Sequence, residues 1–234
     1  MKIYRDIIQS SPEWHEIKYG KVGGSSAKDL NANESKPIRG NAIYDKILAA
    51  KFEEFFPEEN ISTFAMDRGV ELEPYARAEF ERIYNVKVSQ VGWIELDNGL
   101  IGISPDGLVC DESQITETEL INVEESIEIK CPSAAIHMKY IRNNDAFIET
   151  YIDQLVHNFL VLGVKRVRCI SFRQENTACP LLEFMVTPDT LVKVSAKKVS
   201  YIHELVTQSE ARCLELIACI KEDVEKYTIK QQLF

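Results

Sequence analysis

The chain has 234 residues, 45% hydrophobic and 27% charged, with 37 acidic against 27 basic side chains and a formal net charge of -10. This length can bury a core that folds without disulfide or metal staples, and the acidic balance excludes a protein that coats nucleic acid through bulk positive charge, though not one with a local basic channel. No run approaches the roughly 18 apolar residues of a membrane span, the N-terminus lacks an apolar leader followed by small residues, and the six scattered cysteines include no C-x-x-C pair, so a soluble, unsecreted protein of a reducing cytoplasm is expected, without a zinc ribbon or disulfide scaffold.

With 10 Gly, 8 Pro and no repeat, the chain reads as one continuous domain over residues 1–234, with a core at about 12–175 and a helical extension at about 188–230. A short helix is expected at 25–30. Residues 41–56 carry Ile43, Ile47, Leu48 and Phe55 at helical spacing up to Pro57, and a longer helix follows from Thr63, a plausible N-cap, to Tyr84. Strands are expected at 91–96, 100–104, 107–110 and 126–130, with turn residues between them. A helix from Phe147 to Leu162 ends at Gly163, a natural C-cap. Strands at 167–172 and 181–186 follow, and then a helix that starts after Thr187-Pro188-Asp189 and runs to about Lys226. This order predicts an α/β or α+β domain with a central mixed sheet flanked by helices. The acids of 111–125 read as a solvated loop. Lys165, Arg166, Arg168 and Arg173, in a stretch without acids, and the basic residues among the first 40 are where a polyanion could dock.

The chemistry concentrates in Ser104-Pro105-Asp106-Gly107 and Glu128-Ile129-Lys130. Alone, the first is a β-turn: Pro presets φ, Asp bonds locally and Gly tolerates positive φ. The second lies in a strand whose alternation puts Glu128 and Lys130 on one face and Ile127 and Ile129 on the other. An Asp at a strand end beside a Glu-x-Lys strand brings two carboxylates and one ammonium to a point. Such hard oxygen ligands suit Mg²⁺, which takes one or two carboxylates and keeps waters or substrate phosphate. The lysine could orient or activate the attacking water; the sequence leaves that choice open.

Pro105, Asp106, Glu128 and Lys130 meet the PD-(D/E)XK nuclease signature, giving a restriction-endonuclease-like core as the expected fold. Five blocks in order, at 12–27, 64–88, 101–109, 127–132 and 151–163, resemble the lambda exonuclease and YqaJ-type viral recombinase nuclease family. Glu71 and Glu73 point roughly 200° apart on a helix, so one at most faces the site. The resemblance selects Glu73, within Gly69 to Pro74, as a further metal-site carboxylate, and assigns Gln154 a supporting role by hydrogen bonding. Pro74 inside the helix hints at a kink or a fresh start. The resemblance also places Trp14, Lys18 and Ser25 in the element that binds a terminal 5′-phosphate, with Lys18 where the family commonly has Arg. An ammonium cannot form the bidentate fork on phosphate. Met66 stands where the family has an apolar wedge that splits the terminal base pair, and a core methionine would serve equally there. His157 reads as structural.

What the resemblance implies is a Mg²⁺-dependent 5′-to-3′ exonuclease that degrades double-stranded DNA from its ends and releases 5′-mononucleotides for phage-type recombination. Two ions are expected, with Mn²⁺ able to substitute, held by Asp106, Glu128, the Ile129 carbonyl and Glu73. It further implies a ring-shaped homotrimer, a single-strand annealing protein as partner, no membrane, and a bacterial host cytoplasm for a phage-encoded chain. The competing readings are an endonuclease with the same motif, a CRISPR-adaptation nuclease, disfavoured because no cysteine precedes Cys110, and a non-catalytic DNA-binding subunit, which would require a broken metal site.

Overall fold

The computed structural model describes residues 1–32, 37–56, 64–196 and 198–231, the side chains of 64–66 and 229–231 excepted. In chain order the elements are β1 (Lys2–Tyr4), α1 (Pro12–Lys18), a 3-10 turn (Gly24–Ser26), α2 (Ala27–Asn31), a second 3-10 turn (Ile38–Gly40), α3 (Ala42–Ala49) and α4 (Phe64–Tyr84). Then come β2 (Val88–Ser89), β3 (Trp93–Glu95), β4 (Gly102–Ile103), β5 (Gly107–Val109), β6 (Glu125–Lys130), α5 (Ala134–Arg142) and α6 (Asp145–Leu162). The chain continues through β7 (Arg166–Phe172), β8 (Leu181–Val186), β9 (Leu191–Ser195), β10 (Lys198–Tyr201) and α7 (Ile202–Gln231).

The central sheet has the order β2-β5-β6-β7-β8. It is mixed, because β6 and β7 run parallel and are joined by a crossover through α5 and α6, whereas the other neighbours are antiparallel. On one face, Leu72, Ala76 and Phe80 of α4 pack on Ile127, Ile129, Ile170 and Phe172. The other face joins the main core, where Leu155 and Phe159 of α6 meet Val167, Cys169 and Val186. Both faces are thus dry, and β6 is buried along its length up to Lys130. The central position of β6, with a helical layer on each side, removes the wet face that its alternation alone suggests. A second sheet, β1-β3-β4, meets α6 through β3 and β4, and α7 packs on α2, α3 and α6.

Local chemistry accounts for the element ends. Ser11 caps α1 by accepting from the Trp14 N–H at 3.3 Å, with Pro12 at the first helical position. Gly163 closes α6 at φ +63°, its N–H donating to the Phe159 carbonyl. The helix runs through Pro74 without ending, so no fresh start occurs at that proline. Thr63 lies outside the described residues.

Three expectations change. The helix expected over 41–56 stops at Ala49. The chain turns there, and Phe55 packs its ring edge on Tyr19, 5.4 Å between centroids, instead of extending the helical face. Leu191–Ser195 and Lys198–Tyr201 pair as the antiparallel strands β9 and β10, so the last helix starts at Ile202 and these residues are no part of a helical extension. Thr187 and Thr190 make a turn through the Thr190 N–H to the Thr187 carbonyl at 3.0 Å and the Thr187 N–H to Thr190 Oγ1 at 2.9 Å. Beyond it Val192 and Ser200 point inward while Leu191, Lys193 and Val199 point out, a period of two rather than 3.6. Finally, the basic run at 165–173 is no open polyanion dock. Parallel register sets Glu125 opposite Arg166, Glu125 accepts from both Arg166 and Arg168, Arg168 also reaches Glu183, and Lys165 pairs with Glu124. Glu124 and Glu125, from the supposed solvated loop, thus neutralise Lys165, Arg166 and Arg168 together with Glu183, and Arg173 lies 3.8 Å from Glu175. All six cysteines are free, and among the described residues no helix is long and apolar enough to cross a membrane.

Candidate active site

The pairing of β5 with β6 sets Gly107 opposite Ile127, which brings Asp106, immediately before β5, against the end of β6. Asp106 Oδ2 accepts a 2.6 Å hydrogen bond from the Ile129 N–H. Glycine is required at 107: a Cβ there would stand 2.3 Å from Val88 Cγ1 and 2.8 Å from Ile127 Cδ1. Gly107 does not adopt a positive φ, so glycine is needed here for this close approach to Val88 and Ile127 and not for a turn conformation.

Glu128 is 5% exposed, and both of its oxygens are held. Lys130 Nζ donates to Oε1 at 2.5 Å and Asn158 Nδ2 to Oε2 at 3.1 Å. Lys130 Nζ also lies 5.0 Å from the centroid of the Tyr151 ring, at the one residue of α6 with non-helical backbone angles. Glu73 approaches from α4. Its carboxylate accepts from Arg77 one turn on, and Arg77 Nη1 also donates to the Asp106 carbonyl at 3.0 Å, so a single guanidinium ties α4 to the turn.

The electrostatics follow from this crowding. Burial raises the Asp106 pKa well above the ordinary value, Glu128 and Glu73 raise it further, and Lys130 and the Ile129 N–H only partly oppose them. Burial works against the charge on Lys130, but Glu128 and Asp106 outweigh it and hold the ammonium above the usual lysine range. Among the described residues no three His, Cys, Asp or Glu side chains form a metal cage. What the site offers is sparser: two adjacent carboxylates with a backbone carbonyl at hand and a third acid behind them. That donor set fits an ion that takes one or two carboxylates and retains water, and a cation there would relieve the repulsion that raises the Asp106 pKa.

The residues expected to meet a terminal phosphate lie on α1 and the 3-10 turn after it. Trp14 Nε1 donates to Ser104 Oγ at 2.6 Å and to the Gly92 carbonyl at 3.0 Å, and Ser104 Oγ donates to the same carbonyl at 2.6 Å. Trp14 is thus bonded to the residue two before Asp106. Lys18 Nζ sits 3.4 Å from the Trp14 ring centroid and 5.9 Å from that of Trp93, and burial lowers its pKa to about 8. Lys18 lines a cavity of about 750 Å³ together with His15, Lys21, Ser26 and Lys46. Ser25 is exposed and does not line that cavity; its neighbour Ser26 is occupied with the Gly23 backbone.

The structure therefore brings Asp106, Glu128, Ile129, Lys130 and Glu73 together, and links Trp14 to them. Gln154 contributes its carbonyl, which accepts from Asn158 Nδ2 at 3.1 Å. The Met66 side chain lies outside the described residues. His157 is structural, with Nε2 2.8 Å from the Gly102 carbonyl. Arg77 and Asn158 escape a reading of the sequence. The signal available is their spacing, each four residues after Glu73 or Gln154 and so on the same helical face.

The model of the family described as "YqaJ-like viral recombinase domain" matches residues 13–165. Among solved structures, the chain is similar to an alkaline exonuclease from Laribacter hongkongensis, at 24% identity and a TM-score of 0.66, covering 94% of this chain and 100% of that one. A structure of that exonuclease in complex with dAMP aligns at 25% identity and a TM-score of 0.65, with the same coverage. A phage-related exonuclease from Haemophilus somnus 129PT aligns at 12% identity and a TM-score of 0.57, over 88% of this chain and 96% of that one. No curated protein matches the chain in sequence. The fold is the PD-(D/E)XK fold of these exonucleases.

Proposed function

The chain belongs to the YqaJ-like viral recombinase domain family, and from that premise we propose that it is a divalent-metal-dependent exonuclease acting 5′ to 3′ on double-stranded DNA ends in recombination. The observation that carries the proposal is the meeting of Asp106, Glu128 and Lys130 at the β5–β6 junction, in a fold whose solved neighbours are named exonucleases.

Asp106, Glu128, the Ile129 carbonyl and Glu73 would hold the ions, Mg²⁺ with Mn²⁺ as substitute, whose chemistry when bound is to neutralise the scissile phosphate and ease deprotonation of water. Lys130, kept as an ammonium by its acidic neighbours, orients a phosphate oxygen or the attacking water as a hydrogen-bond donor. Gln154 supports this arrangement from α6. Lys18 receives the terminal 5′-phosphate as a point charge steadied by Trp14; the family resemblance adds the Ser25 hydroxyl, which lies outside the cavity lined by Lys18. The Trp14–Ser104 bond ties this element to the Asp106 segment, and the family resemblance makes the released product a mononucleotide. The family resemblance assigns the wedge at the terminal base pair to Met66. In this reading residues 1–234 act as one nuclease domain, since α7 packs on α2, α3 and α6. The family resemblance extends it to a trimeric ring and an annealing-protein partner.

The test is to incubate the full chain with Mg²⁺ and linear duplexes bearing a 5′-phosphate or 5′-hydroxyl, beside a covalently closed circle. Linear DNA should be lost from its 5′-labelled end, fastest with the phosphate, and EDTA, Asp106→Ala or Glu128→Gln should abolish the loss. Degradation of the circle at the linear rate would refute end-dependence, and an active Asp106→Ala protein would refute the site.

A further inference from the structure

Asn158 is 1% exposed and Ser126 fully buried, yet their polar atoms form a closed chain. Ser126 Oγ donates to Asn158 Oδ1 at 3.2 Å, and Asn158 Nδ2 donates to Glu128 Oε2 at 3.1 Å and to the Gln154 carbonyl at 3.1 Å. These partners define the amide's orientation. The side facing Glu128 and Gln154 meets two acceptors and must be NH₂, while the other side meets a hydroxyl with a hydrogen to give. Flipping the amide would set oxygen against a carboxylate in a site that water does not reach. The chain spans two elements, since Ser126 and Glu128 lie on β6 and Asn158 and Gln154 on α6. With Lys130 on Oε1, the Glu128 carboxylate is gripped from both sides.

We infer that Asn158 is the positioning residue of Glu128, fixing the carboxylate's rotation so that its oxygens face the Asp106 side, with Ser126 in turn setting the amide of Asn158. Buried partners of this kind tune the groups that hold a metal, and their removal weakens metal affinity or activity about 10–100-fold. The inference rests on the metal-dependent nuclease reading above.

The experiment compares wild type, Asn158→Ala, Ser126→Ala and Glu128→Gln as full chains. Degradation of 5′-phosphorylated duplex is measured while Mg²⁺ is titrated, with kcat and KM for DNA ends at saturating Mg²⁺ and a thermal midpoint for each protein. Asn158→Ala should raise the half-saturating Mg²⁺ concentration about 10-fold and lower kcat about 10–100-fold, with KM for DNA ends unchanged within about two-fold. Ser126→Ala should move the same two quantities the same way by about two- to five-fold, because it loosens the amide without removing the donor. Wild-type kcat and Mg²⁺ dependence in Asn158→Ala, beside an inactive Glu128→Gln, would overturn this inference and leave the nuclease reading intact. So would a loss that only tracks the thermal midpoint with the Mg²⁺ titration unmoved. Should Asn158→Ala not fold, an unchanged Mg²⁺ titration in Ser126→Ala overturns the inference. Full activity in Glu128→Gln, or indifference of the wild type to EDTA, overturns the nuclease reading and the inference with it.

Discussion

Protonation of His157 should cost the fold stability as the solution turns acid, by an amount the structure sets. The ring is fully buried in α6, its Nε2 2.8 Å from the Gly102 carbonyl of β4 and its Nδ1 without a hydrogen-bond partner among the described residues. The carbonyl accepts from Nε2–H of the neutral ring, and an imidazolium would put a second N–H, on Nδ1, where nothing accepts it. Burial accordingly lowers the pKa from the ordinary 6.5 to about 4, with the Gly102 bond opposing only in part. The unfolded chain takes up its proton near 6.5 and the folded chain near 4, so between those values the unfolded state binds more protons and stability rises with pH. The contribution is whole above pH 6.5 and is lost progressively as pH falls toward 4. Titrating that gap from pH 7.5 to pH 5 removes about 2 kcal/mol. Carboxylates titrate over part of this range, so the measurement is a difference: urea unfolding of wild type and His157→Gln at both pH values. Glutamine keeps an N–H for the Gly102 carbonyl and does not titrate. Its stability deficit relative to wild type should shrink, or reverse, by about 2 kcal/mol on going to pH 5. A deficit that stays constant with pH would refute the reasoning.

Two further predictions come from other parts of the molecule. Lys18, with a pKa of about 8, is cationic below that value and neutral above it, so the preference in kcat/KM for 5′-phosphate over 5′-hydroxyl ends should fade as pH rises through 8. Lys18→Arg should carry the preference to higher pH, Lys18→Ala should lack it throughout, and a wild-type preference that is flat from pH 7 to 9.5 would remove Lys18 from end recognition. Glu125→Gln strips the shared carboxylate from Arg166 and Arg168, whose partner side chain is only 7% exposed; because Arg168 keeps Glu183 and Arg166 reaches solvent, unfolding free energy should fall by about 1.5 kcal/mol in a urea titration. A loss below about 0.5 kcal/mol would class this pairing with ordinary surface ion pairs.

How much of this was legible in the residues depends on the range of the interaction. Alternation in Ile127 to Lys130 set which side chains share a face and Gly163 marked the end of α6, because each is dictated by backbone geometry within a few residues. The chain's membership of its family likewise rests on blocks of sequence. The same local reading failed at β9 and β10, where Thr-Pro-Asp serves a helix start and a turn equally and only packing on α6 and α7 selects the strand pair. It failed too at the basic run of 165–173, whose neutralisation needs the parallel register of β6 and β7 across the crossover. Asn158 and Arg77 were invisible for the same reason: the partner that gives each its meaning is Glu128 on β6 or the Asp106 turn, far along the chain. The sequence by itself determined which chemical groups the protein owns and the local shape of the segments that carry them. Tertiary structure alone decided which charges cancel, which faces go dry and which donors grip Glu128, because burial and register arise only when distant segments pack.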